Sequence, residues 1–235
     1  MILKTDALFI VESMKHSIYS YILLIGISLF LFSCKKDMSP IRSDYCNLSV
    51  GVFGGSISSR LESQAAKDMW IKEFGFTVVT HGVGGAGFSG QILNNVPSQI
   101  ENAPIYDIYI LWASTNDARK STVGDLETLD ISTQNGGIRK CVDIIKNKNE
   151  NAKILFLISM YCFDKYYEIL TPFIVSQIEL CEKIGLPYLD QSLFYNKENF
   201  SEYFLADKIH LKREGYVKIA PIQIIFFYEN LSAAH

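Results

Sequence analysis

The chain is short of histidine and nowhere concentrates positive charge. It has four histidines in 235 residues, and its 22 lysines and arginines are scattered among 25 acidic residues, for a formal net charge of -3. Proteins that bind nucleic acid usually carry a clustered basic face, so nucleic acid is not an expected partner. None of the five cysteines forms a C-x-x-C or a zinc-type spacing. With Cys34 set aside as part of the leader, Cys46, Cys141, Cys162 and Cys181 read as buried free thiols. Internal repeats and low-complexity segments are also lacking. With 49% hydrophobic and 20% charged residues the chain can bury one sizeable core, and a single folded domain is expected.

What the first 34 residues do hold is an apolar run over 18–32, preceded by Lys15 and His16 and closed by Ser33 and Cys34. That is the charged, apolar and small-residue layout of a secretory signal. The run is shorter than the roughly 20 residues a spanning helix prefers. It resembles a bacterial lipoprotein signal, with Phe32 bulkier than that pattern usually has. The resemblance makes Cys34 the lipid-bearing first residue of an exported, membrane-anchored chain at the periplasm or cell surface. Met14 is the expected translation start. Residues 35–45, polar and with Pro40, read as a tether, and 46–235 as the folded domain.

Leu48, Val50 and Val52 alternate as a strand that stops at Gly54 and Gly55, and a helix is expected over about 58–74. Further strands are expected over 76–80, 106–112, 152–159 and 186–190, with helices over 92–100, 137–148, 169–184 and 214–230. The near-continuous apolar run at 152–159 suits a parallel sheet covered on both faces. Five strands alternating with helices give an α/β fold, a three-layer α/β/α sandwich on a five-stranded parallel sheet, flavodoxin-like. Ligands in such sheets bind beyond the carboxyl ends of the strands.

Four stretches carry residues capable of chemistry, and three of them directly follow strands: Gly54-Gly55-Ser56, the glycine run 82–87, Ser114-Thr115-Asn116-Asp117, and Asp207-Lys208-Ile209-His210. Attack on an ester by serine needs a base, a group that orients the base, and donors for the oxyanion. Ser56 sits where a strand turns into a helix; in isolation it is also a plausible cap. Asp207 and His210 are three apart, so one turn brings the carboxylate to one imidazole nitrogen and leaves the other as acceptor. The N–H of Gly85 and the amide of Asn116 are candidate oxyanion donors, although an isolated asparagine there is as often an ordinary turn residue. Asp117 is expected to tie down its loop.

Gly82, Gly84 and Gly87 match G-x-G-x-x-G, but after the second strand rather than the first, and without an acidic residue at the end of the next strand, which disfavours a dinucleotide. A metal site would need Asp117, Asp207, His81 and His210 to converge, and the spacing gives no reason for it. Trp112, Tyr161, Phe163, Tyr203 and Phe204 lie near the stretches and are either core or a platform for sugar rings or acyl chains. His81 either lines the pocket or packs at a strand end.

Taken in order, these motifs resemble the SGNH hydrolases, the superfamily that includes GDSL esterases and lipases. The pattern is a serine after the first strand, a glycine after the second, G-x-N-D after the third, and D-x-x-H near the C-terminus. Ser56, Gly85, Asn116, Asp207 and His210 occupy those positions, and the resemblance spans about 47–230. It departs twice: G-D-S is G-G-S here, and the glycine of G-x-N-D is Ser114. The resemblance implies that Ser56 is the nucleophile, His210 the base and Asp207 its orienter. It also implies that the N–H groups of Ser56 and Gly85 with the Asn116 amide hold the oxyanion, and that no metal or organic cofactor is needed. The implied substrate is a small-molecule or glycan ester, with deacetylation of a carbohydrate favoured. Lipid hydrolysis, acyl transfer and a non-catalytic glycan-binding lipoprotein are the alternatives.

Overall fold

Alternation along the first strand, β1 (Ser49–Gly54), sends Val50 and Val52 to one face of a sheet and Phe53 to the other. The computed structural model describes residues 45–162, 167–196 and 198–232. The expected signal, most of the tether, the proposed start at Met14 and the lipid-bearing Cys34 lie outside these residues. Among the described residues no helix is long and apolar enough to cross a membrane.

The remaining strands are β2 (Thr77–Thr80), β3 (Ile108–Trp112), β4 (Lys153–Leu157) and β5 (Tyr188–Leu189). All pair in parallel in the order β2-β1-β3-β4-β5, the expected doubly wound sheet. Before β2 come a helical turn α1 (Ser56–Ser59) and α2 (Gln64–Phe74). Then follow α3 (Val96–Asn102), α4 (Asn116–Lys120), α5 (Gln134–Lys148), α6 (Tyr167–Ile184), α7 (Phe200–Tyr203) and α8 (Arg213–Leu231). Helices α2 and α8 press Trp70, Phe74, Ile219 and Phe227 onto Val52, Ile110, Trp112 and Leu155. On the opposite face Ile100, Ile138, Ile145 and Leu180 cover Phe53, Tyr109, Leu111 and Phe156.

The elements differ from expectation mainly at their starts. A continuous helix over 58–74 is interrupted because Arg60 is extended, with φ -67° and ψ 152°. The Ser63 hydroxyl binds the carbonyls of Ser58 and Arg60, offering the backbone a local alternative to the helical ladder. Helix α5 begins three residues early because Thr133 caps it, its side chain accepting from the Gly136 N–H. Helix α3 begins late, at Val96, where Asn95 accepts from the Ser98 N–H and Pro97 fits the first turn. Residues 116–120, for which no element was expected, form α4.

For two of the aromatics the choice between core and platform is decided. Trp112 and Phe204 are 0% and 2% exposed, so both belong to the core and neither can stack a sugar. Tyr203 packs beside that core, Tyr161 lies against Tyr167, and Phe163 is outside the described residues. Cys141, Cys162 and Cys181 are buried as expected, whereas Cys46 is exposed.

A buried amide chain ties the α2/α8 layer to the sheet: the Trp70 indole N–H donates to Gln223 Oε1, Gln223 Nε2 to Gln191 Oε1, and Gln191 Nε2 to the Ile158 carbonyl. The glutamine side chains have similar bulk to leucine, so Gln223→Leu removes the bonds with little change in volume. It leaves the Trp70 N–H and Gln191 Oε1 unpaired, and at about 1–3 kcal/mol per buried orphan we expect a loss of about 2–6 kcal/mol. Urea unfolding followed by tryptophan fluorescence checks it.

Candidate active site

The sheet order reverses between β1 and β3, and their register places Gly54 beside Trp112. The residues that follow, Gly55-Ser56 and Ser114-Thr115-Asn116, therefore leave the sheet side by side at its carboxyl edge. This is the switch-point crevice in which α/β sheets bind ligands.

Ser56 opens α1, so its N–H has no acceptor within the helix. Its Oγ lies 2.8 Å from His210 Nε2, and His210 Nδ1 lies 2.7 Å from Asp207 Oδ2. The Asp207 Oδ1 also accepts the backbone N–H groups of Ile209 and His210, both at 3.0 Å, and Lys208 takes a positive φ of 60° to close this turn. Partial burial works to raise the Asp207 carboxyl, but the hydrogen bonds from the His210 side chain and from the two N–H groups outweigh it and hold the group at about 2. An ionised carboxylate only accepts, so Nδ1 carries the proton and Nε2 is left to accept from the Ser56 hydroxyl.

The glycine run makes a tight turn in which the Ala86 N–H donates to the Val83 carbonyl and Gly85 adopts φ +81°. That conformation suits glycine, and the Gly85 N–H has no protein acceptor among the described residues. Lys120, at the end of α4, donates to the Gly85 carbonyl at 3.0 Å and pins the turn from outside. No helix opens until Val96, so the run lacks the helix N-terminus that a dinucleotide fingerprint requires.

Asn116 Nδ2 donates to the Ala86 carbonyl at 2.8 Å and lies 3.0 Å from Ser114 Oγ, which itself donates to the same carbonyl at 3.0 Å. The three atoms form a near-equilateral triangle, so both acceptors of the amide, the Ala86 carbonyl and Ser114 Oγ, lie on one side of Nδ2.

Asp117 is 1% exposed and accepts the N–H groups of Phe88 and Ser89, at 2.8 and 2.9 Å. Burial pushes its carboxyl up against these bonds. It joins the glycine loop to α4, the tying role expected of it. His81 stacks on Phe53 and lies 2.6 Å from the Tyr106 hydroxyl, a packing position. Asp117 and His81 are thus held apart from the Asp207–His210 pair, and among the described residues no group of three or more potential ligands could hold a metal.

Sequence reasoning passed over Lys67, which is 4% exposed on α2. Its Nζ donates to the Ser58 carbonyl and to Thr80 Oγ1, fastening the turn that carries Ser56 to the end of β2. Burial lowers its ammonium, with Asp68 acting the other way. Its position on the apolar side of α2, among Ala66 and Trp70, was the signal available.

A doubly wound parallel sheet with a serine, a histidine and an aspartate linked at its carboxyl edge is the architecture of the SGNH hydrolases. The chain belongs to the GDSL-like lipase/acylhydrolase family, whose model matches residues 52–218, and it is an ester-hydrolysing serine hydrolase. Solved structures of similar fold include a possible lipase from Chitinophaga pinensis, with TM-score 0.61 and 16% identity over 78% of this chain and 98% of that one. A proposed GDSL-like lipase from Bacteroides ovatus gives 0.58 and 15% over 78% and 99%, and a proposed arylesterase from Agrobacterium tumefaciens 0.57 and 14% over 78% and 99%. No curated protein matches the chain.

The low Asp207 value has a consequence for stability. A carboxyl whose folded value is depressed stabilises the fold above its unfolded value, near ~3.9, and the contribution is lost as pH falls through the folded value. The urea midpoint of the wild type should therefore fall between about pH 4 and pH 2 more steeply than that of Asp207→Asn, with the difference constant above about pH 5.

Proposed function

We propose that this hydrolase works through Ser56, His210 and Asp207, and that it removes a short acyl group, acetyl above all, from a carbohydrate. The observation that carries the mechanism is the unbroken hydrogen-bonded chain from Asp207 through His210 to Ser56, with both steps shorter than 3 Å. Ser56 Oγ attacks the acyl carbonyl as His210 Nε2 takes its proton, and Asp207 holds the ring and offsets the imidazolium charge. The Ser56 and Gly85 N–H groups, which have no acceptor among the described residues, and the Asn116 amide are the donors for the oxyanion. His210 returns the proton to the departing alcohol, and water then releases the acyl group by the same steps.

A short acyl group fits the openness of the oxyanion turn. Val83 and Gly84 are exposed, and a side chain at Gly84 would meet nothing within 4 Å. Such a rim leaves room for a bulky polar alcohol and builds no wall for a long acyl chain. The absence of a clustered basic face agrees with a neutral glycan. We also propose export and anchoring through a lipid on Cys34, which supplies access to extracytoplasmic glycans.

A fluorophosphonate probe should label Ser56 in the wild type and not in His210→Ala, as mapped by mass spectrometry. Asn116→Ala should lower kcat by about 10²–10³-fold on the same ester. Acetylated sugars should be turned over with higher kcat/KM than 4-nitrophenyl esters of long-chain acids; the reverse order would point to a lipase. A folded protein that binds glycans but takes no label would be a binding module. For the anchor, a clickable fatty acid fed to expressing bacteria should appear in the wild type and be absent from Cys34→Ala.

A further inference from the structure

The two places where this chain departs from the superfamily pattern, Gly55 and Ser114, are distant in sequence and in contact in space. A Cβ built on Gly55 would lie 2.7 Å from Ser114 Oγ, 2.7 Å from the Ala86 carbonyl oxygen and 2.8 Å from Asn116 Nδ2. These are the three corners of the hydrogen-bonded triangle around the Asn116 amide, so a side chain at 55 would press directly on it. None of the three can easily retreat: one is backbone, and Ser114 and Asn116 are 3% and 7% exposed. With glycine at 55 the triangle closes, and Ser114 Oγ accepts from Asn116 Nδ2 and donates to Ala86.

We infer that Gly55 and Ser114 are a reciprocal pair, in which Ser114 is a positioning residue for the Asn116 oxyanion donor and Gly55 is required by the space the triangle occupies. The inference rests on the proposed mechanism and adds a residue to it. In the superfamily pattern the residue before the serine has a side chain and the first residue of G-x-N-D has none. Here the two are exchanged across the same contact. Ser114 touches no reacting atom and acts only through Asn116: its hydroxyl accepts from the amide and fixes the amide plane, which decides where the amide N–H groups point. Without that hydroxyl the amide keeps only the Ala86 carbonyl and can rotate about its bond to it, so a donor of fixed direction becomes one that must be oriented during each turnover.

The test is a set of variants assayed for kcat and KM on a 4-nitrophenyl acetate-type ester, with thermal unfolding measured on each. Ser114→Ala keeps the Cβ and loses the hydroxyl; kcat should fall by about tenfold or more, a fraction of what removal of a donor itself costs, with KM within about twofold. Gly55→Ala in the wild-type background should lower kcat further still. In a Ser114→Gly background, where one of the three close contacts is gone, the same Gly55→Ala change should cost several-fold less, so that the two sites are not independent. Should Gly55→Ala fail to fold alone, its recovery of folding in Ser114→Gly is the same coupling read by unfolding temperature. A Ser114→Ala enzyme with wild-type kcat, or a Gly55→Ala cost equal in both backgrounds, would overturn the inference while leaving the Ser56 mechanism standing. A wild type without esterase activity would instead overturn the mechanism.

Discussion

The pairing of β1 with β3 is the constraint on which the site depends. Parallel strands have their carboxyl ends at one edge, and the register that sets Gly54 beside Trp112 brings the serine turn and the asparagine turn out of the sheet together. Buried side chains on both faces hold that register, because a slip of one residue would exchange the two hydrophobic sets, Ile108, Ile110 and Trp112 on one face for Tyr109 and Leu111 on the other. The chemistry therefore inherits its precision from the core. Loops bring the remaining parts to a place the sheet has already fixed.

Each of those parts is fastened from more than one direction. The serine turn is held by Lys67 from α2, the glycine turn by Lys120 from α4, and the segment after it by the buried carboxylate of Asp117. Two lysines and an aspartate thus work on backbone carbonyl and N–H groups rather than on one another. The lysine ammonium groups bound to backbone carbonyls set loop conformation through charge-assisted bonds, which are stronger than neutral ones.

Much of the architecture was legible because it follows from simple periods. Alternation located the strands, glycines located the turns at their ends, and four short motifs placed Ser56, Gly85, Asn116, Asp207 and His210 before any coordinates. Helix starts were harder, since they depend on whether a side chain such as Thr133 or Asn95 turns back to the first N–H groups. Burial of Trp112, one of the two readings open for it, follows from parity: it shares a face with Ile108 and Ile110. The meaning of Gly55 and Ser114 was not available, because in the sequence they are two separate departures and only strand register makes them neighbours.

The base and its orienter differ from the nucleophile in how far they reach along the chain. Asp207 and His210 meet within a single turn that supplies its own N–H groups, whereas His210 and Ser56 meet across 154 residues. The first contact closes a short loop and the second a long one, with a correspondingly larger loss of chain entropy that only the completed core can offset. When the molecule loosens, the aspartate and histidine can stay together while the serine loses its acceptor and returns to the low reactivity of an ordinary alcohol. The reactivity of one hydroxyl thereby reports whether the first strand and the last helix, at opposite ends of the domain's sequence, are in place.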